Sequence, residues 1–337
     1  METNIILTGD ALSVLKEMSA SSCDMCVTSP PYYGLRNYEA QGQIGLEETP
    51  DGYIERLVEV FGEVRRVLKD DGTLWLNIGD SYATRSGAQP PTNTRNRCGH
   101  TSKTVPPGYK AKDLIGIPWM LAFALRADGW YLRQDIIWQK TNCMPESVRD
   151  RCTKSHEYLF LLSKSPRYYF DAETISEPIA ESSAKRYRQY ISAQEGSGRQ
   201  PGRGNRNMKA SLPRFGGEKY GDDQREESRT KSGALYKPQL RRNKRDVWAI
   251  STAGFKGAHF ATFPAALVRP CILAGSRPGG IVLDPFIGSG TTAAVAIETG
   301  RQYIGIDVNP EYVSIAKKRA EAAAVAAAKK GAQPHER

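Results

Sequence analysis

The sequence predicts an α/β fold with a mostly parallel, doubly wound sheet, and three observations carry that prediction. Short apolar segments typical of buried strands alternate with segments whose apolar residues recur at helical spacing. Acidic or hydroxyl residues directly follow several of the strands, as they do at the ligand-binding edge of an open α/β sheet. The chain has 337 residues, which fits one large domain or a domain with a sizeable insertion.

The N-terminal part of the chain shows the alternation of strands and helices directly. The expected elements are a strand at 4–7, a helix around 12–18, a strand at 24–27, a helix at 53–68 and a strand at 73–78. Apolar residues recur every three or four positions in both helices, and Gly72 lets the chain turn into the last of these strands. The second strand ends at the sequence TSPPYY.

The alternation continues after a long segment at 84–112, whose Pro, Gly, Asn and Arg content predicts a loop. The expected elements are then a helix at 114–127, strands at 131–138, 157–162 and 281–283, a helix at 291–298, a strand at 303–306 and a last helix from Glu311. Between the second and third of those strands lies a stretch with many glycines and basic residues and few aliphatic ones.

The positive charge of the chain is concentrated in that stretch. The whole chain carries a formal net charge of +10, and residues 181–250, with 17 Lys and Arg against 8 Asp and Glu, account for +9 of it. A local field of this kind favours a surface that faces a polyanion, although a solvated basic linker would have the same composition. We expect three parts: a catalytic half at 1–171, a basic recognition insert at 172–250 and a cofactor-binding half at 251–337.

Hydropathy and cysteine usage predict a cytoplasmic protein without a metal site. No run of about 18 apolar residues is present, and the N-terminal sequence METNIILTGD lacks the features of a signal peptide. Cys23 and Cys26 have the spacing of a metal-binding pair, but no second pair accompanies them. We therefore expect packed thiols at these two positions rather than zinc ligands.

The sequence DPFIGSGTT, which begins at Asp284, directly follows a predicted strand and opens a helix. Its glycines fit the pattern G-x-G-x-x-A of dinucleotide sites, and Asp307 ends the next strand, where a carboxylate can bind ribose hydroxyls. The first glycine comes later than in most NAD sites, and the lysine of a phosphate-binding loop is absent. The pattern favours a nucleoside cofactor without a pyrophosphate, of which S-adenosylmethionine is the obvious example.

The sequence Ser29-Pro30-Pro31-Tyr32 has a chemical interpretation as well as a structural one. The exocyclic amine of a nucleobase is a poor nucleophile, and acceptors aimed at its protons favour the charge that develops as it attacks a methyl group. Pro30 offers a backbone carbonyl in an extended conformation, Ser29 offers a side-chain oxygen, and Tyr32 can stack on a flipped base. An ordinary Pro-Pro turn after a strand is the structural alternative.

Four segments in this order resemble the amino-group DNA methyltransferases of bacteria and phages, specifically the permuted (beta) class in which the catalytic motif precedes the cofactor motif. They are TSPPYYGLRNY, WQKTNCMPESVRDRCTKSHEYLFLLSKSPRYYFD, HFATFPAALV and DPFIGSGTTAAVAIETGRQYIGIDVNPEYVSIAKKR. The resemblance covers most of the chain apart from the loop at 84–112 and the insert. It implies a Rossmann-like S-adenosylmethionine-dependent methyltransferase fold.

The resemblance also implies roles for individual residues. Asp307 would bind the ribose hydroxyls of S-adenosylmethionine, Asp10 its adenine amine, and Thr262 and Phe263 would cover it from the opposite side. Its methionine end would lie against Asp284, Phe286, Gly288 and Gly290. Asp80, which follows the strand at 73–78, could contact cofactor or base, whereas His156 is more easily read as structural.

The function that follows is methyl transfer to an exocyclic amine of a flipped base in double-stranded DNA, by direct in-line displacement without a metal. Methylation of a protein glutamine and a DNA-binding protein without turnover are the alternatives from other classes. A cognate restriction endonuclease would be a further partner that activity does not require. Neither the recognition sequence nor the oligomeric state follows from the sequence.

Ser29 favours N4 of cytosine over N6 of adenine as the acceptor. In the resembling family, cytosine-N4 enzymes usually carry Ser at this position, and adenine enzymes usually carry Asp or Asn. A short hydroxyl can accept from the amine and donate to the adjacent ring N3 of cytosine. Adenine also has an acceptor beside its amine, so the hydrogen-bond pattern leaves that base open.

Overall fold

The computed structural model describes residues 2–34, 43–83, 105–182, 241–252 and 263–331. Contacts along the chain define two units, one formed by Met1–Ile175 with Arg245–Arg337 and the other by Ser176–Lys244. Most of the predicted loop at 84–112 and most of the basic insert lie outside the described residues.

The central sheet of the first unit has eight strands within the described ranges. In chain order the strands are β1 (Ile5–Thr8), β2 (Cys23–Thr28), β3 (Leu68–Ile78), β4 (Tyr131–Gln139), β5 (His156–Ser163), β8 (Val247–Ala249), β9 (Ile281–Asp284) and β10 (Gln302–Asp307). Their spatial order is β1-β10-β9-β2-β3-β5-β4-β8. Only β5 pairs antiparallel with its neighbours in this sheet. The prediction of a mostly parallel sheet is confirmed.

Helices cover both faces of this sheet, which makes the fold doubly wound. The helices are α1 (Ala11–Glu17), α2 (Pro50–Val67), α3 (Ile117–Ala127), α4 (Ala265–Gly275), α5 (Thr291–Glu298) and α6 (Pro310–Gly331). Buried side chains of α1, α2 and α3 form one apolar cluster with the strands, and those of α4, α5 and α6 form a second. Each large side chain buried in this way contributes about 1.5 to 3 kcal/mol. None of the helices in the described ranges combines the length and apolar character of a membrane-spanning segment.

Two elements of the first unit were not predicted from the sequence. Helix α4 contains Pro270, which reads as a helix breaker, yet its apolar residues bury against the sheet. Strand β8 lies inside the range 172–250 that the sequence assigns to recognition, but it pairs with β4 in the main sheet. Trp248 is buried there, and its ring nitrogen donates to the Arg245 carbonyl at 2.6 Å.

The second unit contains two short strands within its described residues. Strand β6 (Glu177–Pro178) pairs antiparallel with β7 (Arg241–Arg242). The Glu177 carboxylate lies 3.5 Å from the Arg242 guanidinium and 3.7 Å from the Lys244 ammonium. These ion pairs connect the two ends of the chain segment that carries most of the predicted insert.

The direction of the strands brings their polar ends to one edge of the main sheet. Strands β1, β10, β9 and β2 are parallel neighbours, so the residues that end or follow them share that edge. Because β5 runs in the opposite direction, its first residues lie at the same edge beside the last residues of β3 and β4. Ligands of open α/β sheets bind at this kind of edge.

Candidate functional site

The four residues that the sequence places after strands converge at the carboxyl edge of the sheet. Asp10 follows β1, Ser29 follows β2, and Asp284 and Asp307 end β9 and β10. The backbone N–H of Gly9 donates to the Asp307 carbonyl at 3.0 Å, which joins the ends of β1 and β10. The strand order therefore places three carboxylates on the side of β1, β10 and β9, and Ser29 beside them.

Asp284 is completely buried and connects three elements. Its Oδ1 accepts from the Thr28 hydroxyl at 2.6 Å and from the Phe286 N–H at 3.1 Å, and its Oδ2 accepts from the Thr292 hydroxyl at 2.6 Å. Burial is the main cause that raises the pKa of Asp284 to about 6, against the effect of the three hydrogen bonds. These partners are all internal, so Asp284 fixes the end of β2 and the start of α5 around the end of β9.

The segment between β9 and α5 is a tight turn, which we call the glycine loop (residues 285–290). Gly290 has φ of +80° and caps α5, and a Cβ on it would lie 2.8 Å from the Cα of Ala316 in α6. Only glycine fits this conformation and this close approach of two helices. Arg319, also in α6, donates to the hydroxyls of Ser289 at 3.1 Å and Thr291 at 2.8 Å. These hydrogen bonds fix the end of the glycine loop on the last helix.

Asp307 and Asp10 keep acceptor capacity at the surface of this edge. Asp307 accepts backbone N–H groups of Gly288 at 3.0 Å and Asn309 at 2.9 Å, and burial raises its pKa above the usual range. Asp10 caps α1, with its Oδ2 accepting from the N–H and the hydroxyl of Ser13, both at 2.9 Å. Within the described residues the other carboxylate oxygen of Asp10 accepts no hydrogen bond. The capping role of Asp10 was not predicted from the sequence.

The acceptor groups at this edge fit a nucleoside cofactor. Two half-exposed carboxylates can accept from ribose hydroxyls and from an exocyclic amine, since each ionised oxygen accepts more than one hydrogen bond. Phe286 is partly buried beside them, and a Cβ on Gly288 would find nothing closer than 3.9 Å, so the space in front of that residue is open. Phe263 packs in the second apolar cluster just before α4, and Thr262 lies outside the described residues.

The turn Ser29-Pro30-Pro31-Tyr32 begins where β2 ends. The Pro31 carbonyl accepts from the Tyr53 hydroxyl at 2.8 Å, which fixes the turn on α2. The Pro30 carbonyl has no hydrogen bond to any residue in the described ranges, as the sequence interpretation requires of an acceptor for a substrate amine. The Tyr32 hydroxyl donates to Oε2 of Glu157 at 2.7 Å, and the Ser29 Oγ lies 3.5 Å from the Tyr32 oxygen.

Sequence reasoning missed three residues behind this turn: Asn77 in β3 and Glu157 in β5, which contact Tyr32, and Lys140, which directly follows β4. Asn77 donates to Glu157 Oε2 at 3.2 Å, and Lys140 forms an ion pair with the other oxygen of Glu157. All three residues lie at or near the ends of predicted strands. Their shared position at one edge follows only once β5 is known to run antiparallel to β3 and β4. Asp80 binds the start of α3, because its Oδ1 accepts from the N–H groups of Gly116 and Ile117, both at 3.0 Å.

The cysteines at the start of the chain lie inside the sheet. Cys23 and Cys26 are both buried and unpaired in β2, and burial raises both of their pKa values, that of Cys23 to about 11. A thiol in this environment stays protonated at neutral pH and packs as an apolar side chain. His156, at the first position of β5, has its ring edge-on to that of Tyr158 with centroids 5.5 Å apart.

Comparisons with known proteins agree with this geometry. Residues 23–318 match the model of a family described as DNA methylase. The chain is 45% identical over 325 residues to the type II methyltransferase M.SmaI of Serratia marcescens, covering 95% of this chain and 92% of that protein. The PvuII DNA methyltransferase, named as cytosine-N4-specific, is a structural neighbour with a TM-score of 0.58 at 19% identity, covering 95% and 86% of the two chains. A Thermus thermophilus protein solved with S-adenosyl-L-methionine has a TM-score of 0.54 at 21% identity, covering 95% and 96%.

The raised pKa of Asp284 predicts how stability depends on pH. The folded protein holds this proton up to about pH 6, whereas the ordinary value is 3.8. The stability that the proton contributes is therefore fully present below about pH 4 and is lost as the pH rises through about 6. In Asp284→Asn, which cannot ionise, the free energy of unfolding should rise relative to the wild type by about 1 to 2 kcal/mol between pH 5 and pH 7.5.

Urea unfolding at the two pH values measures that difference. Asp135→Asn, at an exposed position of β4, is the matched control and should leave the difference from the wild type independent of pH. Parallel pH profiles for Asp284→Asn and the wild type would show that Asp284 has an ordinary pKa.

Proposed function

The chain belongs to the DNA methylase family, and we propose that it transfers a methyl group from S-adenosylmethionine to the exocyclic N4 amine of cytosine in double-stranded DNA. The single observation that carries this proposal is the 2.6 Å hydrogen bond between Thr28 and Asp284. Thr28 directly precedes the turn Ser29-Pro30-Pro31-Tyr32, and Asp284 directly precedes the glycine loop. The turn for the target base and the loop for the methyl donor are thereby held side by side.

The cofactor, when bound, supplies an electrophilic methyl group on a sulfonium. Asp307 is suited to the ribose hydroxyls and Asp10 to the adenine amine, since both keep free acceptor capacity at one edge of the sheet. We assign Phe286, Gly288 and Gly290 to the methionine end, with Thr262 and Phe263 on the opposite side. Asp284 contributes indirectly in this proposal, because its internal hydrogen bonds set the shape of the glycine loop.

The target amine is oriented by the turn after β2. A base amine that attacks a methyl group loses delocalisation of its lone pair into the ring, and its N–H groups become stronger donors as charge develops. The Pro30 carbonyl and the Ser29 hydroxyl oxygen are the two acceptors at this position, and the Tyr32 ring offers a surface on which the flipped base stacks. Alignment of the amine with the methyl group is the main contribution of these residues.

Ser29 is the reason for proposing cytosine. Its side chain is short and uncharged, and serine is the residue that cytosine-N4 enzymes of the resembling family usually carry before Pro-Pro-Tyr. The N6 amine of adenine is the alternative acceptor, and the same two oxygens could hold it. The choice between the two bases depends on the volume of the pocket that receives the flipped base.

DNA recognition is assigned to the basic insert at 172–250. Its charge of +9 over residues 181–250 is interspersed with the aromatic residues Tyr187, Tyr190, Phe215, Tyr220 and Tyr236. Contact of such a segment with phosphates releases counterions, which strengthens binding at low salt. This assignment concerns residues that lie mostly outside the described ranges, and it is based on composition.

Removing residues 196–232 should separate DNA binding from cofactor binding. We expect the deletion variant to lose binding to its specific site and most of the salt dependence of DNA binding, because about half of the insert's basic residues are removed. Its affinity for S-adenosylmethionine should be unchanged. Fluorescence anisotropy with duplex DNA at several salt concentrations measures the first effect. Normal site-specific binding would transfer the recognition role to the loop at 84–112.

Asp307→Ala should weaken the binding of S-adenosylmethionine by about 1 to 3 kcal/mol, because ribose hydroxyls would lose their acceptor and the Gly288 N–H its partner. Isothermal titration calorimetry measures this affinity directly. Glu311→Gln, an exposed change in the first turn of α6, is the matched control and should bind normally. An unchanged affinity in Asp307→Ala would remove this residue from the site.

The acceptor base is tested by mass spectrometry of nucleosides from DNA of cells that express the protein. We expect N4-methylcytosine. Detection of N6-methyladenine without N4-methylcytosine would overturn the base assignment while leaving the site intact.

Ser29→Ala should lower kcat by roughly ten- to a hundredfold with little change in cofactor affinity, because the hydroxyl acts on charge that develops during transfer. Equal losses in kcat and in cofactor affinity would contradict this role.

A further inference from the structure

A polar network lies behind the turn after β2. We call it the Tyr32 network, and it consists of Tyr32, Asn77, Lys140 and Glu157. The Glu157 side chain is 11% exposed and the Lys140 side chain 22% exposed, so the ion pair between them is largely shielded from water. Asn77 is buried, and its amide nitrogen donates to Glu157 Oε2 at 3.2 Å and to the Tyr158 carbonyl at 3.1 Å.

The direction of the hydrogen bonds in this network is determined by chemistry. An ionised carboxylate only accepts hydrogen bonds, and an ammonium only donates them. Because Lys140 occupies Oε1 of Glu157, the remaining oxygen Oε2 accepts from Asn77 and from the Tyr32 hydroxyl, the latter at 2.7 Å. The Tyr32 oxygen also lies 3.4 Å from Asn77 Oδ1, but the much shorter contact makes Glu157 the main acceptor of the single Tyr32 proton.

The Tyr32 hydroxyl keeps that proton at neutral pH. Burial, reinforced by the negative charge of Glu157, raises the pKa of Tyr32 well above its ordinary value. The Tyr32 ring also packs directly against Gly79, where the added Cβ of any other residue would lie only 2.8 Å from the ring atom Cε2. The Tyr32 oxygen can therefore offer only lone pairs to a neighbouring group.

Ser29 is that neighbouring group. Its Oγ lies 3.5 Å from the Tyr32 oxygen, which is long for an O–H···O hydrogen bond and is the kind of separation that shortens when substrate binds. A Ser29 hydroxyl that donates to Tyr32 turns its own lone pairs toward the place of the target amine. It then accepts from the amine and does not donate to the ring nitrogen of the base.

We infer that Glu157 is a positioning residue which sets the donor and acceptor direction of Ser29 through Tyr32. This inference rests on the proposed methyl transfer to an exocyclic amine, and it applies to cytosine and adenine alike because both present N–H donors. Glu157 contacts neither cofactor nor base in this scheme. Lys140 orients the Glu157 carboxylate through the ion pair at Oε1.

Glu157→Gln tests this inference because it preserves the size of the side chain and changes its donors. Lys140 will hold the single amide oxygen, so the amide nitrogen faces the Tyr32 oxygen and donates to it. The amide then occupies a lone pair of the Tyr32 oxygen, and the Tyr32 proton is left with Asn77 Oδ1 at 3.4 Å and Ser29 Oγ at 3.5 Å as its acceptors, so the Ser29 hydroxyl loses its fixed donor direction. We expect kcat to fall by about tenfold or more, with the affinity for S-adenosylmethionine unchanged.

The decisive measurement is a double-mutant cycle with Tyr32→Phe, which keeps the ring and removes the hydroxyl that transmits the effect. Methyl transfer is measured with tritiated cofactor on a duplex whose site has been located by long-read sequencing of DNA from expressing cells. Glu157→Gln should lower kcat further by less than twofold when residue 32 is Phe. Glu146→Gln, which removes a carboxylate paired with Arg151, is the matched control and should leave kcat within about twofold of the wild type.

The possible outcomes are distinct. If Glu157→Gln lowers kcat by the same factor whether residue 32 is Tyr or Phe, Glu157 acts on the fold in general and the inference is overturned. Thermal unfolding of the four proteins of the cycle provides a second measurement, and coupling in stability without coupling in kcat would also overturn it. A wild type that transfers no methyl group to DNA would overturn the proposed function itself, and this inference with it.

Discussion

The buried carboxylate of Asp284 is the constraint on which the arrangement of this site depends. It is the last residue of β9, and it accepts from Thr28 at the end of β2, from Thr292 in α5 and from the backbone of Phe286. A carboxylate without partners at this depth would cost several kcal/mol, so these three donors are needed for the fold as well as for the site. Any change that displaces one of them moves the glycine loop relative to the turn that begins at Ser29.

The same edge carries a second carboxylate, that of Glu157, which is largely shielded from water and differs from Asp284 in its partners. Glu157 is paired with a lysine, whereas Asp284 has only neutral donors and a pKa raised to about 6. Glu157 thus forms an ion pair behind the turn that begins at Ser29, whereas Asp284 is held by hydrogen bonds from neutral groups between that turn and the glycine loop. Two acids within one sheet edge can thus act differently because their partners differ.

Much of this architecture could be predicted from the sequence, because strand and helix periodicities are local properties. The four residues Asp10, Ser29, Asp284 and Asp307 were expected at one edge, and parallel pairing of β1, β10, β9 and β2 brings them there. Helix α4 was not predicted, and the contact of Asp80 with the start of α3 was missed because that helix begins 37 positions later. The Tyr32 network required the register of the one antiparallel strand, which no local pattern provides.

The order of the strands also explains how a large insertion can be accommodated. The proposed cofactor residues end or follow β1, β10 and β9, and the turn proposed for the target base follows β2. The Tyr32 network behind that turn comes from β3, β5 and the residue after β4. After the second unit, which ends at Lys244, the chain re-enters the sheet at β8. Within the described residues this strand pairs with β4, at the end of the sheet farthest from β1. Because four strands separate β8 from β9, length and composition of the insert can vary without altering the hydrogen bonds of Asp284. If the proposed recognition role of that segment holds, its DNA sequence preference can change while the hydrogen bonds of Asp284 stay the same.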